Sequence, residues 1–240
     1  MAEDVPLRKY KKEFDYSYSL GVFPTIELLK RQPAHVRKVI LSSKGEINTG
    51  IVKIRQLCQA HLIKVEVSDN LLSRLAPKEN IYALGIFEKY QSGLDSNTNH
   101  IVLVHPSDSG NLGTIIRTML GFQMRDLALI RPAVDIFDPK VIRASMGAIF
   151  AMHFAYFDTF PDYQQGYQQH IYPFMTNGKM QLPDVVFHKP YSLLFGGEAE
   201  GLDNRYLEIG TSVMIPQNRL IDSLNLAIAV GIALYESSGT

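Results

Sequence analysis

Short polar side chains and glycines that could bind a small ligand follow three apolar runs in the second half of this sequence. The three segments are residues 109–117, 193–202 and 215–225. In an open α/β domain, the loops at the carboxyl ends of parallel strands converge on one ligand site. We therefore expect these three segments to lie together and to form one site.

The first segment places Asn111 and Arg117 on either side of Gly113. A helix that starts after Asn111 would carry Arg117 about one and a half turns in. An arginine near a cleft can hold a phosphate bidentately or polarise a hydroxyl group. The alternative is a structural ion pair with an acid such as Asp108.

The second segment contains Gly-Gly-Glu-Ala-Glu-Gly at residues 196–201. Its glycines could simply allow a tight turn, or they could let the backbone approach a planar ligand closely. The segment lacks the spacing of dinucleotide-binding and phosphate-binding loops, and Glu198 and Glu200 would repel a phosphate. It therefore favours a ligand that is uncharged or cationic at the point of contact.

The third segment begins where an apolar strand is predicted to end, at Pro216, and runs into the apolar stretch 226–236. Asp222 or Ser223 is placed to cap a helix that is too apolar for the surface. Ser223 and Asn225 could therefore only satisfy the free amides of this helix start. If the other two segments converge here, the same side chains could instead face a ligand.

The elements that would position these segments alternate between strands and helices. Near-continuous apolar strands in the second part predict a parallel sheet covered on both faces. The shorter alternation in the first part predicts a small α/β layer domain. A polar stretch at 89–99 is typical of a linker. We therefore predict two domains, residues 1–94 and 95–240.

Individual strands and helices are predicted from local sequence patterns. In the first domain, strands are predicted at 36–41, 62–67 and 83–87, and helices at 24–31, 48–60 and 69–75. In the second domain, strands are predicted at 101–105, 126–130, 153–157, 171–175, 191–195 and 213–215. Helices are predicted from about Leu112, at 139–150, at 162–169 and after residue 222.

Composition limits the class of protein. With 240 residues and 46% hydrophobic content, the chain can bury one large core or two modest ones. The single cysteine, Cys58, precludes an internal disulfide and is expected in the core, and the seven histidines show no metal-ligand spacing, so we predict no metal. No apolar run approaches the roughly 20 residues of a membrane span, and no apolar signal segment follows the charged amino terminus. We therefore expect a cytoplasmic protein that does not enter a membrane.

Charge is distributed unevenly although the net charge is zero. Residues 1–94 contain 15 Lys and Arg against 10 Asp and Glu, a balance of +5, and the remainder has 9 against 14, a balance of −5. This favours a first domain that meets a polyanion, although a solvated surface is the alternative. The cluster Arg-Lys-Tyr-Lys-Lys at residues 8–12 is suited to phosphate contact and base stacking, or it is a frayed terminus.

Three ordered motifs resemble the SpoU (TrmH-like) branch of the SPOUT RNA methyltransferases. The motifs are Asn111-x-Gly113-x-x-x-Arg117, Phe195-Gly196-x-Glu198-x-x-Gly201, and Ile215-Pro216 followed by Ser223-Leu224-Asn225. The resemblance covers roughly residues 101–236 and includes residues 138–147. The amino-terminal part is similar, less specifically, to the ribosomal-protein-like substrate-binding domain that many members carry.

The resemblance implies transfer of a methyl group from S-adenosylmethionine to a ribose 2′-hydroxyl of structured RNA, either rRNA or tRNA. It also implies a deep trefoil knot in the catalytic domain and a homodimer. Arg117 would act on the 2′-hydroxyl. The other implied site residues are Asn111, Glu198, Ser223 and Asn225 around the reaction and Gly196, Gly201, Ile215 and Leu224 at the cofactor.

Elementary chemistry agrees with these roles. Methyl transfer from a sulfonium is an in-line displacement that mainly demands positioning, and a 2′-hydroxyl needs a polarising or proton-accepting neighbour. Members commonly have Met and later Gly after Ile-Pro, where this chain has Gln217 and Arg219; this change bears on cofactor affinity and target choice. Arg219 either contacts an RNA phosphate or is solvated.

Two other classes of function are the alternatives. A non-catalytic RNA-binding protein that keeps the scaffold is suggested only by the altered loop at Arg219. A generic Rossmann-like enzyme acting on small molecules is disfavoured by the absent dinucleotide fingerprint and by the basic first domain.

Overall fold

The computed structural model describes residues 7–45, 48–76, 81–218 and 220–239. The chain forms two compact units. Unit 1 holds the described residues up to Tyr90 together with Asp135–Phe150, and unit 2 holds Gln91–Val134 and the described residues from Ala151 onwards. The division predicted at residues 94 and 95 places the segment Asp135–Phe150 in the second domain, whereas in the structure it groups with unit 1.

The helices and strands follow one another along the chain. The first half contains β1 (Tyr16–Leu20), α1 (Val22–Arg31), β2 (Val36–Leu41), α2 (Thr49–Ala60), β3 (Val65–Val67), α3 (Asp69–Leu75), β4 (Ala83–Glu88), β5 (His100–Val104) and α4 (Ser109–Gly121). The second half contains β6 (Asp126–Ile130), α5 (Pro139–Ala144), β7 (His153–Phe157), α6 (Phe160–Gly166), β8 (His170–Pro173), β9 (Met180–Gln181), β10 (Tyr191–Gly196), β11 (Val213–Met214) and α7 (Leu226–Ser238).

Unit 1 is built on a four-stranded sheet in the order β1-β4-β2-β3. β4 is antiparallel to both β1 and β2, and β3 is parallel to β2. Helices α2 and α3 begin at side-chain caps, because Asn48 accepts from Gly50 N and Ser68 accepts from Leu71 N. Unit 1 thus combines helices with one mixed sheet.

Strand β1 was not predicted. Its serines interrupt the apolar run that would have marked a buried strand, yet Ser17 and Ser19 are both fully buried. Ser17 Oγ donates to Phe137 O at 2.5 Å, and Ser19 Oγ accepts from Gly85 N at 3.1 Å. The polar atoms are satisfied by partners far away in the sequence, which local patterns do not reveal.

The predicted helix 139–150 ends early, at Ala144. Met146 and Gly147 take positive φ angles of 53° and 82°. A Cβ on Gly147 would lie 2.9 Å from Pro24 Cα, so this position requires a glycine. The chain then turns into a 3₁₀ helix at Ala148–Ala151 instead of continuing α5.

Unit 2 contains a fully parallel five-stranded sheet in the order β7-β6-β5-β10-β8. Every residue of β5 and β6 is buried, so both faces of the sheet centre are covered. The predicted parallel α/β architecture is therefore confirmed. A short parallel pair, β9 and β11, lies outside this sheet.

Helices α4 and α7 begin at other residues than predicted. α4 begins at Ser109, before Asn111, because the side chain of Asp108 accepts from Asn111 N at 2.7 Å. α7 begins at Leu226, and its cap is Asn225, not Asp222 or Ser223. The Asn225 Oδ1 atom accepts from Ala227 N at 2.9 Å and from Ile228 N at 3.3 Å, which satisfies two amides of the first turn.

Cys58 is buried on α2, as expected, and burial raises the pKa of its thiol to about 11. Within the described ranges, no helix is long and apolar enough to cross a membrane. The same residues contain no group of three or more His, Cys, Asp or Glu side chains that could hold a metal ion.

Candidate active site

A pocket of about 470 Å³ opens in unit 2 beside the carboxyl end of β10. Its walls come from residues that follow β8, β10 and β11. Of the predicted site residues, those lining the pocket are Gly196, Glu198, Gly201, Ile215, Ser223, Leu224 and Asn225. The prediction that the three segments converge is thus confirmed for the second and third by the pocket itself.

The glycines of the second segment form a tight turn that is also a pocket wall. Gly201 N donates to Gly197 O at 3.1 Å, and Gly201 has a φ of +65°. A Cβ on Gly196 would lie 2.0 Å from the carbonyl carbon of Gly201, and one on Gly197 would lie 2.3 Å from His105 O. The glycines are therefore required by the turn, which places backbone atoms at the pocket surface.

Glu198 joins the first segment to the second. Its carboxylate accepts from Ser107 N at 3.0 Å, Ser107 Oγ at 2.9 Å and Asn111 Nδ2 at 2.9 Å. Burial alone raises the pKa of this carboxyl, but the hydrogen bonds from Asn111 and Ser107 outweigh it, so the pKa lies below the ordinary value. Glu198 is therefore an ionised anchor and not a free base.

Asn111 and Asn225 complete the connection. Asn225 Nδ2 donates to Asn111 Oδ1 at 3.0 Å, while Asn111 Nδ2 donates to Glu198. One hydrogen-bonded chain, from Asn225 through Asn111 to Glu198, thus joins all three segments. The first segment reaches the pocket through this chain, although Asn111 is not a lining residue.

Arg117 lies apart from these residues. It is exposed on α4, and it is not among the residues that line the pocket. Along the helix it lies about 9 Å from Asn111 at the usual rise per residue. Asp108 instead caps α4, and no ion pair joins it to Arg117, so the interpretation of Arg117 as the partner of Asp108 is wrong. Its catalytic role stays a prediction.

One wall of the pocket was missed by the sequence reasoning. Phe174, Met175, Thr176 and Asn177 follow β8, which is the parallel neighbour of β10. Their position at the end of the predicted strand 171–175 could have indicated them, because this edge of the sheet also holds the other segments. Their side-chain types carried no such signal.

The loop after Ile215 also borders the pocket. Gln217 and Asp222 line it, and Gln217 Nε2 donates to the carbonyl oxygen of Asp222 at 3.4 Å. Between them, Leu220 is 89% exposed. Arg219, predicted either to contact an RNA phosphate or to be solvated, lies outside the described residues.

Comparison with known proteins identifies the family of this chain. The model of the SpoU rRNA methylase family matches residues 98–235, more than half of the chain. This chain therefore belongs to the SpoU rRNA methylase family, and the resemblance drawn from its three motifs is confirmed.

Individual relatives support this family assignment. An uncharacterised tRNA/rRNA methyltransferase of Synechocystis sp. is 31% identical over 188 residues, which cover 76% of this chain and 68% of the relative. A 23S rRNA uridine 2′-O-methyltransferase of Streptomyces viridochromogenes is 28% identical over 146 residues, 57% of this chain and 51% of the relative. This chain thus spans about half the length of the Streptomyces protein.

A solved structure with bound cofactor is also similar. The rRNA methyltransferase of Sinorhizobium meliloti, determined with AdoMet bound, superimposes with a TM-score of 0.78 and is 27% identical. The match covers 93% of this chain and 87% of the Sinorhizobium chain. The α/β fold with its parallel sheet is therefore that of the SPOUT methyltransferases.

Proposed function

We propose that this protein transfers a methyl group from S-adenosylmethionine to a ribose 2′-hydroxyl of structured RNA, either rRNA or tRNA. The observation that carries the proposal is the chain of hydrogen bonds from Asn225 through Asn111 to Glu198, which joins the three family segments at one pocket. The Streptomyces relative, by its name a 2′-O-methyltransferase, and the AdoMet-bound Sinorhizobium structure support it.

The pocket suits this cofactor. Its volume of about 470 Å³ lies in the range of about 300–1,000 Å³ typical of small-molecule sites. Ile215 and Leu224 offer apolar surface for a planar base, and the turn at Gly196 offers backbone groups. The carboxylates of Glu198 and Glu200 at the wall tolerate a cationic ligand. The lining therefore supports Gly196, Gly201, Ile215 and Leu224 as the residues that would hold it.

The protein's own groups would then position the acceptor. When bound, S-adenosylmethionine supplies an activated methyl group on a positively charged sulfur. Ser223 and Asn225 line the pocket and can orient a ribose through hydrogen bonds. Arg117 would polarise the 2′-hydroxyl, and since it lies outside the pocket of its own chain, we infer that it serves the pocket of a second copy.

An exposed apolar stripe supports the homodimer that this requires. On α7, Ile228, Ile232 and Tyr235 are 55%, 37% and 72% exposed. Their spacing places them along one side of the helix. Apolar side chains clustered on a surface mark interaction sites, so we propose α7 as part of the dimer interface.

Three further features belong to the proposal. Unit 1, with its positive balance, docks the RNA as a ribosomal-protein-like substrate-binding domain. The chain of unit 2 forms the deep trefoil knot of the family around its second and third segments. The protein works in the cytoplasm. The RNA-docking role rests on charge, the knot on the family resemblance, and the cytoplasmic location on composition.

Methyl transfer to unmodified transcripts tests the proposal. Purified protein, radiolabelled S-adenosylmethionine and transcripts of rRNA and tRNA should give label at one nucleotide that resists alkaline cleavage, because 2′-O-methylation removes the attacking hydroxyl. A transcript with 2′-deoxyribose at that nucleotide is the control and should accept no label. Tight RNA binding without any transfer, by a protein that also fails to bind the cofactor, would favour the non-catalytic RNA-binding alternative.

A further inference from the structure

The amino-terminal segment of unit 1, residues 7–14, lies fixed on the body of that unit. We refer to it as the strap. Leu7, Tyr10 and Phe14 pack against the buried cluster that includes Tyr16 and Leu84. The Phe14 ring stacks on the Tyr16 ring with 5.0 Å between centroids. One side of the strap is therefore part of the unit's apolar core.

Hydrogen bonds to the strap backbone hold it in register. Tyr18 Oη donates to Arg8 O at 2.5 Å, and Lys89 Nζ donates to Lys12 O at 2.7 Å. Arg74 Nη2 donates to Leu7 O at 3.3 Å. The alternative that this basic cluster is a frayed terminus is therefore wrong.

Tyr10 is the central anchor of the strap. Its hydroxyl donates to the carboxylate of Asp135, and the Lys89 ammonium lies 5.0 Å from its ring centroid. Lys89 Nζ also lies 2.8 Å from Asp135 Oδ2. The Tyr10 ring is thus engaged on the protein side, so the prediction that it stacks on an RNA base does not fit the structure.

The cations of the strap point the other way. Arg8, Lys9 and Lys11 are exposed, while the tyrosine between them is half-buried. Among the residues that the structure describes, their side chains form no ion pair of the kind that Lys89 makes with Asp135. Three positive groups therefore stand on a backbone that is already ordered.

We propose that the strap is a preformed binding edge for RNA phosphates, in which Arg8, Lys9 and Lys11 contact the RNA and Tyr10 and Asp135 are positioning residues. The inference rests on the proposed function, since it names the surface of unit 1 that meets the RNA. Phosphate contacts carry charge-dependent affinity without sequence information. Because the backbone is fixed beforehand, less entropy is lost on binding than for a disordered basic tail.

The first test removes the charges. The variant Arg8→Ala/Lys9→Ala/Lys11→Ala is compared with Lys53→Ala/Arg55→Ala/Lys64→Ala, which removes one arginine and two lysines exposed elsewhere in unit 1. The probe is unmodified rRNA transcript, titrated at several salt concentrations. We expect the strap variant to bind at least about fivefold more weakly. The magnitude of the slope of log K against log salt should fall by about 2 to 3, at roughly 0.7–0.9 per lost phosphate contact. The control variant should retain the wild-type slope.

The second test addresses the anchor. Tyr10→Phe keeps the ring but loses the hydroxyl bond to Asp135, so an anchoring role predicts binding weakened about threefold or more. A stacking role predicts no change, because phenylalanine stacks equally well. Asp135→Asn also removes a negative charge, which by electrostatics alone would strengthen RNA binding, whereas loss of the anchor weakens it. Its amide oxygen can still accept from Phe137 N, as the carboxylate does at 2.9 Å.

The outcomes separate this inference from the proposed function. Melting temperature and cofactor binding report the fold of each variant, so a variant that loses both is replaced by Lys9→Glu/Lys11→Glu, which leaves the anchor intact. The strap is not the binding edge if the wild-type protein binds the transcript and the two triple variants, strap and control, weaken that binding equally. Unchanged binding by both strap and anchor variants, or preference of the strap for anionic vesicles over RNA, would also overturn it. A wild-type protein that binds no RNA would instead overturn the proposed function.

Discussion

Asn225 Nδ2 donates a hydrogen bond to Asn111 Oδ1 at 3.0 Å, although the two residues are 114 positions apart in the chain. The same Asn225 side chain caps α7 through its oxygen. One asparagine therefore uses its acceptor for the helix start and its donor for the site. The two roles need different atoms, so they can be separated by substitution.

Asn225→Ala should reduce both stability and activity. Loss of the cap is expected to lower the free energy of unfolding by about 1 kcal/mol. Asn225→Asp keeps an oxygen for Ala227 N and Ile228 N but offers no donor to Asn111. We expect its stability, measured by urea denaturation, to be near that of the wild type while single-turnover methyl transfer falls. If Asn225→Asp were as active as the wild type, the hydrogen bond between Asn225 and Asn111 would not matter for the reaction.

Gly196→Ala should abolish cofactor binding. The added Cβ would lie 2.0 Å from the carbonyl carbon of Gly201, so the turn that forms the pocket wall must open. Calorimetry with S-adenosylmethionine should give micromolar affinity for the wild type, about −8 kcal/mol, and no measurable heat for the variant. Gly166→Ala is the matched control, because its Cβ would meet no atom within 4 Å. Unchanged affinity in Gly196→Ala would remove this turn from the cofactor site.

Arg117→Ala should lose methyl transfer while keeping fold and cofactor binding. Loss of a transition-state contact costs on the order of 3 kcal/mol, about a hundredfold in rate. Stability should change by less than about 0.5 kcal/mol, because the side chain is exposed and forms no ion pair with Asp108. The measurement is the single-turnover rate with saturating cofactor and RNA.

An exposed arginine at the start of another element provides the comparison for that experiment. Arg125→Ala removes the same charge just before β6 and should transfer methyl groups at the wild-type rate. If Arg117→Ala stays within a few-fold of the wild type, the activating group must be sought elsewhere, with Ser223 as the next candidate.

His100 is fully buried at the start of β5. Its Nε2 atom lies 2.8 Å from the carbonyl oxygen of Asp95 and 3.2 Å from Gln169 Nε2. Its Nδ1 atom lies 2.8 Å from the Tyr163 hydroxyl. Burial lowers the pKa of His100 below its ordinary value of 6.5, against the opposing effects of the Asp95 carbonyl and the Asp126 carboxylate.

This burial predicts a pH-dependent stability. The folded state holds His100 neutral, while the unfolded state takes up a proton near pH 6.5. The stability that depends on a neutral His100 is therefore fully present above that pH. It is lost as the pH falls from 6.5 through the lower folded-state pKa. The free energy of unfolding should therefore decline on acidification less steeply in His100→Gln than in the wild type. His61→Gln, which changes an exposed histidine, should retain the wild-type slope.

The grouping of Asp135–Phe150 with unit 1 affects how the domains can be studied. Phe87 makes edge contacts with Phe137 and Phe150, at 5.7 Å and 5.3 Å between centroids. Deleting residues 1–94 would remove Phe87 and leave Phe137 and Phe150 without this contact. Point substitutions such as those on the strap are therefore the cleaner way to test what unit 1 does.

The sequence by itself determined the parallel sheet of unit 2 and the order of the motif segments along it. Both follow from local patterns, since a buried strand is a short apolar run and the turn after it needs glycine and polar residues. The family resemblance of the motifs implied that Gly196, Ile215 and Leu224 lie at one pocket. In the structure all three residues line one pocket.

Only the tertiary structure decided which partners each polar group finds. Asn225, and not Asp222 or Ser223, caps α7, and Tyr10 is turned toward Asp135 instead of toward solvent. Buried serines in β1 are satisfied by Phe137 and Gly85. In each case the hydrogen-bond partner is distant in sequence or is one of several local residues that could serve equally well. Which partner a group finds depends on distances in the folded chain, and the order of residues does not give these distances.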